Sequence, residues 1–243
     1  MGSGKYSALS GAVSREQAIN NIAANLANVS TAGFKKDRLS FAAILKGTQQ
    51  TEKAAGINHT RVRTTATDFN QGGLRTTGRS LDVAIDGPGL FKIMKDNTTL
   101  YTRSGSFVVD SNGLVQTADG YTVIGNGDAP LQLDTTSGKD IAISESGEIA
   151  VNGILSDARL AVFTVPDDRE LVKISNNLYR LDSGEAQPMQ QYRVIQGSLE
   201  TSNVNMMEEM TAMIAAQRLF EAHTKAIESF AKISEKQDEL GSL

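Results

Sequence analysis

The residue types that carry most enzyme chemistry are scarce in this chain. Its 243 residues include two histidines, His59 and His223, and no cysteine. Without thiols, disulfides, zinc–thiolate sites and cysteine nucleophiles are excluded. The histidines lie in a polar linker and in a predicted helix, and neither has a second histidine at metal-ligand spacing. We therefore expect no catalytic residue, no metal site and no cofactor.

Three glycine-rich motifs could in principle cradle a phosphate, but each has a simpler explanation. Gly2–Lys5 is similar to the end of a P-loop. A P-loop follows a β-strand, however, and only Met1 precedes Gly2 in this sequence. Gly87–Gly89 and Gly125–Asp128 are typical turns. No Gly-x-Ser-x-Gly elbow occurs. A carbohydrate-binding or hydrolytic β domain remains a remote alternative, because it needs a convergent polar pocket for which the sequence offers no residue pair.

Composition narrows the possible partners. The net charge of −4 gives no reason to expect nucleic-acid binding. No apolar run approaches the roughly 20 residues that span a bilayer, so membrane insertion is not expected. The first ten residues contain no continuous apolar segment, which argues against a cleaved secretory signal.

The N-terminal segment, residues 1–34, is predicted to be helical over residues 6–32. Apolar residues recur there at helical spacing, and Gly33 is a plausible residue to follow the helix end. Asparagine is a mediocre helix former, so its four occurrences suggest hydrogen bonds to neighbouring chains, with a solvated polar face as the alternative. The stripe comprises Leu9, Ala12, Val13, Ile19, Ile22, Ala23 and Leu26, and the asparagines are Asn20, Asn21, Asn25 and Asn28.

The C-terminal segment, residues 198–243, is predicted to contain a second amphipathic helix that starts near Asn205. Asn205 followed by Glu208 resembles a capping box. The helix would extend for roughly 35 residues, or ~50 Å, and Gly241 would end it. Its apolar stripe comprises Met210, Met213, Ile214, Phe220, Ile227, Phe230 and Ile233.

Between these ends the sequence predicts extended structure. Residues 35–80 indicate a linker with short strands. Residues 81–197 show short β-prone runs separated by turn signals, which favours an antiparallel sandwich or barrel-like module. The predicted fold is therefore α+β, with terminal helices that flank an antiparallel β domain.

The two ends carry opposite charge, which favours their pairing within or between subunits. Residues 1–46 have six basic and two acidic side chains, a net of +4, whereas residues 200–243 have four basic and eight acidic ones, a net of −4. Neither apolar stripe can be buried by one helix alone, so the sequence already points to assembly.

Three separate motifs resemble the bacterial flagellar rod and hook proteins. Ile22–Lys35 (IAANLANVSTAGFK) is similar to their N-terminal signature, and Ser198–Asn205 (SLETSNVN) to its C-terminal counterpart. Arg79–Phe91 and Tyr101–Phe107 are similar to the central region. One departure is Ala24, where the family commonly has asparagine.

This resemblance implies a structural, non-enzymatic subunit of the flagellar basal body. Such subunits leave the cell unfolded through the flagellar type III export apparatus, without a cleaved signal peptide. Their terminal helices pair as an inner tube, with coiled-coil-like packing, and bind copies of the same chain and other rod subunits. The resulting rod spans the periplasm and transmits torque.

Within the family, the length excludes the much longer hook protein, and two motifs favour a proximal-rod subunit. Val123–Gly127 and Glu209–Ile214 are more similar to that type, and a proline–isoleucine stretch usual in distal-rod subunits is missing. A distal-rod or hook-type subunit is the alternative. The expected assembly interface comprises Leu9, Ile19, Ile22, Asn25, Leu26, Asn28, Gly33, Phe34, Asn203, Asn205, Met210, Ile214, Phe220, Ile227 and Phe230.

A final expectation concerns the residues that follow the first helix. Gly33 is predicted to take positive φ and turn the chain outward, with Phe34 packed in the bend. Lys35 and Lys36 would then face the acidic helix of a neighbouring subunit. Because asparagine tolerates the left-handed region, Gly33→Asn is expected to be milder than Gly33→Val.

Overall fold

The computed structural model describes residues 2–46, 57–134 and 140–241, which form two compact units. Of these described residues, those within 1–27, 37–66 and 205–243 form the helical unit. Those within 28–36 and 67–204 form the β unit. Helices flank a β-rich middle, so the predicted α+β class is confirmed. The predicted linker, residues 35–80, is divided between the two units.

The helical unit contains two long helices and one pair of strands. Helix α1 spans Gly2–Ala27 and helix α2 spans Met206–Gly241. Strand β1 (Asp37–Lys46) pairs with β2 (Ile57–Thr67). At ten and eleven residues these strands are longer than the short strands expected. The polar composition of β2 hid that strand, although its threonine and valine favour extended backbone.

Helix α1 ends earlier than the sequence suggested. The prediction extended it to residue 32, but it stops at Ala27. A turn follows, in which the Thr31 amide donates to the Asn28 carbonyl (3.2 Å) and the Thr31 hydroxyl donates to the Asn28 side chain (3.1 Å). Gly33 has the predicted positive φ, +69°, but it lies beyond this turn and does not terminate the helix.

Helix α2 begins where the sequence predicted. The Asn205 carboxamide oxygen accepts from the Met207 amide at 3.1 Å and from the Glu208 amide at 3.4 Å, which satisfies donors that the first turn leaves free. The helix has 36 residues and is therefore roughly 54 Å long at 1.5 Å per residue.

The β unit is built on two main antiparallel sheets. One has seven strands in the order β14-β15-β6-β5-β9-β8-β7, and the other has three in the order β10-β11-β12. The remaining strands form the pairs β17-β4, β18-β3 and β13-β16. The strands are β3 (Leu74–Thr76), β4 (Val83–Asp86), β5 (Phe91–Lys95), β6 (Thr98–Thr102), β7 (Phe107–Val109), β8 (Val115–Thr117), β9 (Thr122–Val123), β10 (Ile141–Ile143), β11 (Glu148–Val151), β12 (Ile154–Arg159), β13 (Phe163–Thr164), β14 (Leu171–Ser175), β15 (Leu178–Leu181), β16 (Gln187–Pro188), β17 (Arg193–Gln196) and β18 (Ser198–Glu200).

One hydrophobic core joins the two main sheets. Ile93 and Val123 of the seven-stranded sheet belong to the same buried cluster as Ile141 and Ile149 of the three-stranded sheet. Tight turns connect the short strands; Asn152 and Gly153, for example, both have positive φ between β11 and β12, as an Asn-Gly hairpin requires. The predicted antiparallel architecture is thus present as two sheets around a shared core.

Candidate assembly surface

Helices α1 and α2 pack against each other in antiparallel layers spaced seven residues apart. Gly4 lies against Phe230 and Gly11 against His223. The Asn25 carboxamide donates to Glu209 at 3.5 Å. The same register places Ala18 opposite Ala216, and both of these alanines are buried. A seven-residue repeat on each helix keeps one face towards its partner, as in a coiled coil.

Small residues on α1 allow the two helices to approach closely. A Cβ atom added at Gly11 would lie 2.5 Å from the His223 ring, and one at Gly4 would lie 3.0 Å from the Phe230 ring. Ala8, Ala12 and Ser14 are buried beside these glycines. The α1 face that packs within the subunit is therefore glycine, alanine and serine, and Ala12 is the one member of the predicted apolar stripe that is buried there.

The larger apolar side chains of both helices remain on the outside. Leu9 is 50% exposed on α1, and Met210 and Ile214 are 49% and 52% exposed on α2. These three residues were predicted to be in an assembly interface, and the paired helices leave them accessible. The other large apolar residues that these helices contribute to the predicted interface are half-buried: Ile19, Ile22, Leu26, Phe220, Ile227 and Phe230.

The asparagines of the predicted interface make contacts within the chain. Asn25 is buried and holds the start of β1, because its carboxamide accepts from the Asp37 amide and donates to the Asp37 carbonyl, both at 3.1 Å. Asn28 is buried in the turn after α1. Asn203 accepts from the Lys36 amide at 2.8 Å and donates to the Asp68 carbonyl at 2.7 Å. Asn205 caps α2.

In the β unit, a buried ionic cluster connects three motifs that carried the family resemblance. Glu200 accepts from the Lys35 ammonium at 2.6 Å and from the Arg103 guanidinium. It also accepts from the Gly72 amide at 2.8 Å. The side chains of all three ionic residues are at most 3% exposed. Lys35, Arg103 and Glu200 come from the N-terminal, central and C-terminal motifs respectively.

Each cation in this cluster also bonds to backbone carbonyls. Lys35 donates to the Asn70 carbonyl at 2.7 Å, and Arg103 donates to the carbonyls of Gly87 and Gly89. Burial lowers the pKa of the Lys35 ammonium, and the neighbouring Glu200 carboxylate opposes that shift. The cluster therefore holds segments together that are distant in sequence.

This arrangement corrects the expectation for Lys35. We predicted that it would face the acidic helix of a neighbouring subunit, but it is buried and paired with Glu200 of its own chain. Phe34 packs in the bend as predicted and is 2% exposed, with the Lys173 ammonium 4.2 Å from its ring centroid. At Gly33, an added Cβ would lie 2.4 Å from the Ser104 amide nitrogen, so both asparagine and valine would overlap the backbone there, and the milder effect of asparagine stays a prediction.

Sequence reasoning missed the small-residue helix face and the ionic cluster. The available signal for the first was a shared seven-residue spacing of Gly4, Gly11, Ala18 and Asn25 with Glu209, Ala216, His223 and Phe230. Among residues 2–46, 57–134 and 140–241, no group of acidic or histidine side chains could hold a metal ion. In the same part of the chain, no helix combines the length and apolarity that a membrane span needs.

Known families match three parts of this chain. The family described as "Flagella basal body rod protein" matches residues 6–35, and "Flagellar hook protein FlgE/F/G D1 domain" matches residues 84–151. "Flagellar basal body rod FlgEFG protein C-terminal" matches residues 195–239. The FlgG rod protein of Bacillus subtilis is 34% identical over 91% of this chain and 92% of its own length. This chain belongs to the flagellar basal-body rod protein family.

Rod proteins of two types are similar to it. The FlgG protein of Borreliella burgdorferi is 35% identical, over 92% of this chain and 93% of that protein. The FlgF protein of Rhizobium meliloti is 32% identical, over 91% and 90% respectively. The chain is thus a structural rod-family subunit of the basal body, and the identities do not separate the two types.

Proposed function

We propose that this rod-family subunit builds a torque-transmitting shaft through the outer faces of its paired terminal helices. It would assemble with copies of itself and with other rod subunits across the periplasm. The observation that carries this proposal is the exposure of large apolar side chains on both helices. Exposed apolar stripes of this kind on each helix are typical of protein–protein contacts.

The distribution of exposed apolar residues supports the helices as the assembly surface. Among the described side chains, fifteen large hydrophobic ones are exposed, and nine of them lie on α1 or α2. The contact between the helices places small α1 residues against Ala216, His223 and Phe230 of α2, so the exposed large residues remain accessible to neighbouring subunits. The nine are Tyr6, Leu9, Val13, Met206, Met207, Met210, Ile214, Leu219 and Ile233.

The proposed transmission of torque follows from the use of one helix face within the subunit and another between subunits. A shaft resists twist only if each subunit binds several neighbours around a closed tube. Long helices provide such contacts along their length, and α2 is 36 residues long. Methionine on that surface suits it to neighbours of slightly different shape, because its side chain is flexible and polarizable.

Two finer proposals rest on the family resemblance. Passage of the unfolded chain through the flagellar export apparatus would bring the subunit to the rod without a cleaved signal. A proximal-rod position remains a prediction from Val123–Gly127 and Glu209–Ile214. Both are tested by locating the tagged subunit along isolated rods and by sequencing its N-terminus.

The assembly surface is tested with two matched substitutions. Ile214 on α2 is 52% exposed and Ile154 on the β unit is 70% exposed. In a strain that lacks the native chain, Ile214→Asp should abolish motility and rod completion, whereas Ile154→Asp should restore both. Electron microscopy of basal bodies provides the measurement. Complete rods with Ile214→Asp at normal export would contradict the proposal.

A further inference from the structure

The two helices carry outer apolar stripes of identical spacing. The α1 stripe is Tyr6, Leu9 and Val13, and the α2 stripe is Met207, Met210 and Ile214. In each, the residues stand at positions i, i+3 and i+7, so each stripe follows one face of its helix. All six side chains are between 44% and 71% exposed. Among the residues that the structure describes, neither stripe is covered by another part of its own subunit.

The stripes face away from the contact between α1 and α2. At roughly 100° per residue, Leu9 and Val13 lie about 160° around α1 from Gly11, which packs on α2. Ile214 lies about 160° around α2 from the buried Ala216, and Met207 about 180°. One stripe thus lies on the α1 side of the helix pair and the other on the α2 side.

The stripes are also displaced along the helix axis. In the antiparallel register, Gly11 stands level with His223 and Asn25 with Glu209. The α1 stripe therefore lies near residue 225 of α2, and the α2 stripe near residue 24 of α1. The separation is about 15 residues, or roughly 22 Å.

Charge favours contact between unlike helices of two subunits. Helix α1 has two basic residues and one acidic residue, a net of +1, whereas α2 has four basic and seven acidic residues, a net of −3. Contact between two α2 helices would bring like charges together, while contact between α1 and α2 brings opposite charges together.

We propose that the α1 stripe of one subunit packs on the α2 stripe of a second copy of this chain. The proposal rests on the rod-assembly function and names the partner and the residues of one contact. Because the two surfaces differ and are displaced along the axis, the contact is head-to-tail, and its repetition produces an open helix rather than a closed dimer. Neighbouring helices then alternate in direction, as they do within one subunit.

The size of this contact predicts cooperative assembly. Burial of six half-exposed apolar side chains removes on the order of 500 Å² from water, well below the roughly 1,200 Å² of a small specific interface. One such contact does not hold a pair of subunits together in dilute solution. A subunit can make two of them, one through each stripe, so it stays monomeric until other contacts in a growing rod add to these.

Engineered cysteines test the contact directly, because the chain has none of its own. A full-length chain with Leu9→Cys and Met210→Cys should give a ladder of disulfide-linked multimers in rods treated with copper phenanthroline. A disulfide within one chain cannot form, since the two positions are roughly 22 Å apart along the helices and a disulfide needs Cα atoms within about 7 Å.

Three controls separate this contact from others. Either cysteine alone should give no multimers, and neither should Leu9→Cys combined with Ala215→Cys, because Ala215 is exposed on another side of α2. Multimers in the single variants, or a double variant that forms rods without a ladder, would overturn the proposed contact. If rods contain none of this protein, the proposed function itself fails.

A charge exchange provides a second test that does not depend on oxidation. Leu9→Asp or Met210→Lys alone should block incorporation into rods, and the two combined should restore it, because the contact then pairs opposite charges. Both side chains are about half-exposed, so circular dichroism of the purified monomers should be unchanged. Failure of the double variant to recover incorporation would contradict the proposed pairing.

Discussion

Removal of the Glu200 carboxylate should destabilise the β unit far more than the loss of a surface ion pair. Glu200 is fully buried and neutralises part of the charge on Lys35 and Arg103. Glu200→Ala would leave two buried cations without their carboxylate, and breaking such an arrangement costs about 3–5 kcal/mol. That is a large share of the roughly 5–15 kcal/mol that stabilises a typical domain.

The matched control is Arg193→Ala. Arg193 is half-exposed and pairs with Asp86 at 3.4 Å and Glu145 at 3.3 Å. Exposed pairs contribute about 0–1 kcal/mol, because solvent screens them and both side chains lose freedom. The two variants therefore differ in burial, although both remove one partner of a charge cluster.

Thermal and urea unfolding of the purified chains, followed by far-ultraviolet circular dichroism, measure the difference. For Glu200→Ala we expect the melting temperature of the β unit to fall on the order of 10 °C. Arg193→Ala should change it by no more than a few degrees. Equal shifts for both variants, or a loss below about 1 kcal/mol for Glu200→Ala, would refute the assignment of the buried cluster as a stabilising centre.

Three further predictions concern backbone fit, helix packing and pH. Gly33→Asn should prevent folding of the β unit, as measured by circular dichroism, whereas Gly78→Asn should be mild, because both glycines have positive φ but only Gly78 has open space for a Cβ. Gly11→Leu should part α1 from α2, because its Cβ would overlap a ring of α2, and limited proteolysis should then cut α1 faster than in the unaltered chain. Burial raises the pKa of the Tyr101 and Tyr192 phenols, so their phenolate absorbance should appear above pH ~10. Because the folded-state pKa values are raised, the stability that these phenols contribute is complete below that pH and is lost as the pH rises through them; a Tyr192→Phe chain that keeps the same late absorbance would argue against the shift.

The sequence predicted the overall arrangement well and the helix contact poorly. Helical periodicity located both helices, and the Asn205 cap fixed the start of α2. The same periodicity selected Leu9 and Val13 as the buried side of α1, yet both are exposed. An apolar pattern does not show whether its residues pack within the subunit or against a neighbouring one. The small Gly4 and Gly11 face, which packs within the subunit, gives no apolar signal.

The ionic cluster and the contact at Gly33 could not be predicted from the sequence, because both depend on segments that meet only in the folded chain. Lys35 and Glu200 are 165 residues apart in the sequence. Periodicity locates helices and strands, but it does not show which charged residues of distant segments pair. The motifs that contain them indicated the family, but not that the residues meet. At Gly33, the left-handed backbone was predictable, whereas the close approach of Ser104 depends on the tertiary fold.

The abundance of this chain in purified basal bodies would show whether it is a structural component of the rod. Quantitative mass spectrometry should find the chain at a fixed ratio to other rod proteins. A strain with Ile214→Asp should retain the folded protein in the cell and lose it from the basal bodies. Basal bodies with complete rods and none of this chain, in a strain that expresses it, would show that the chain is not a structural component of the rod.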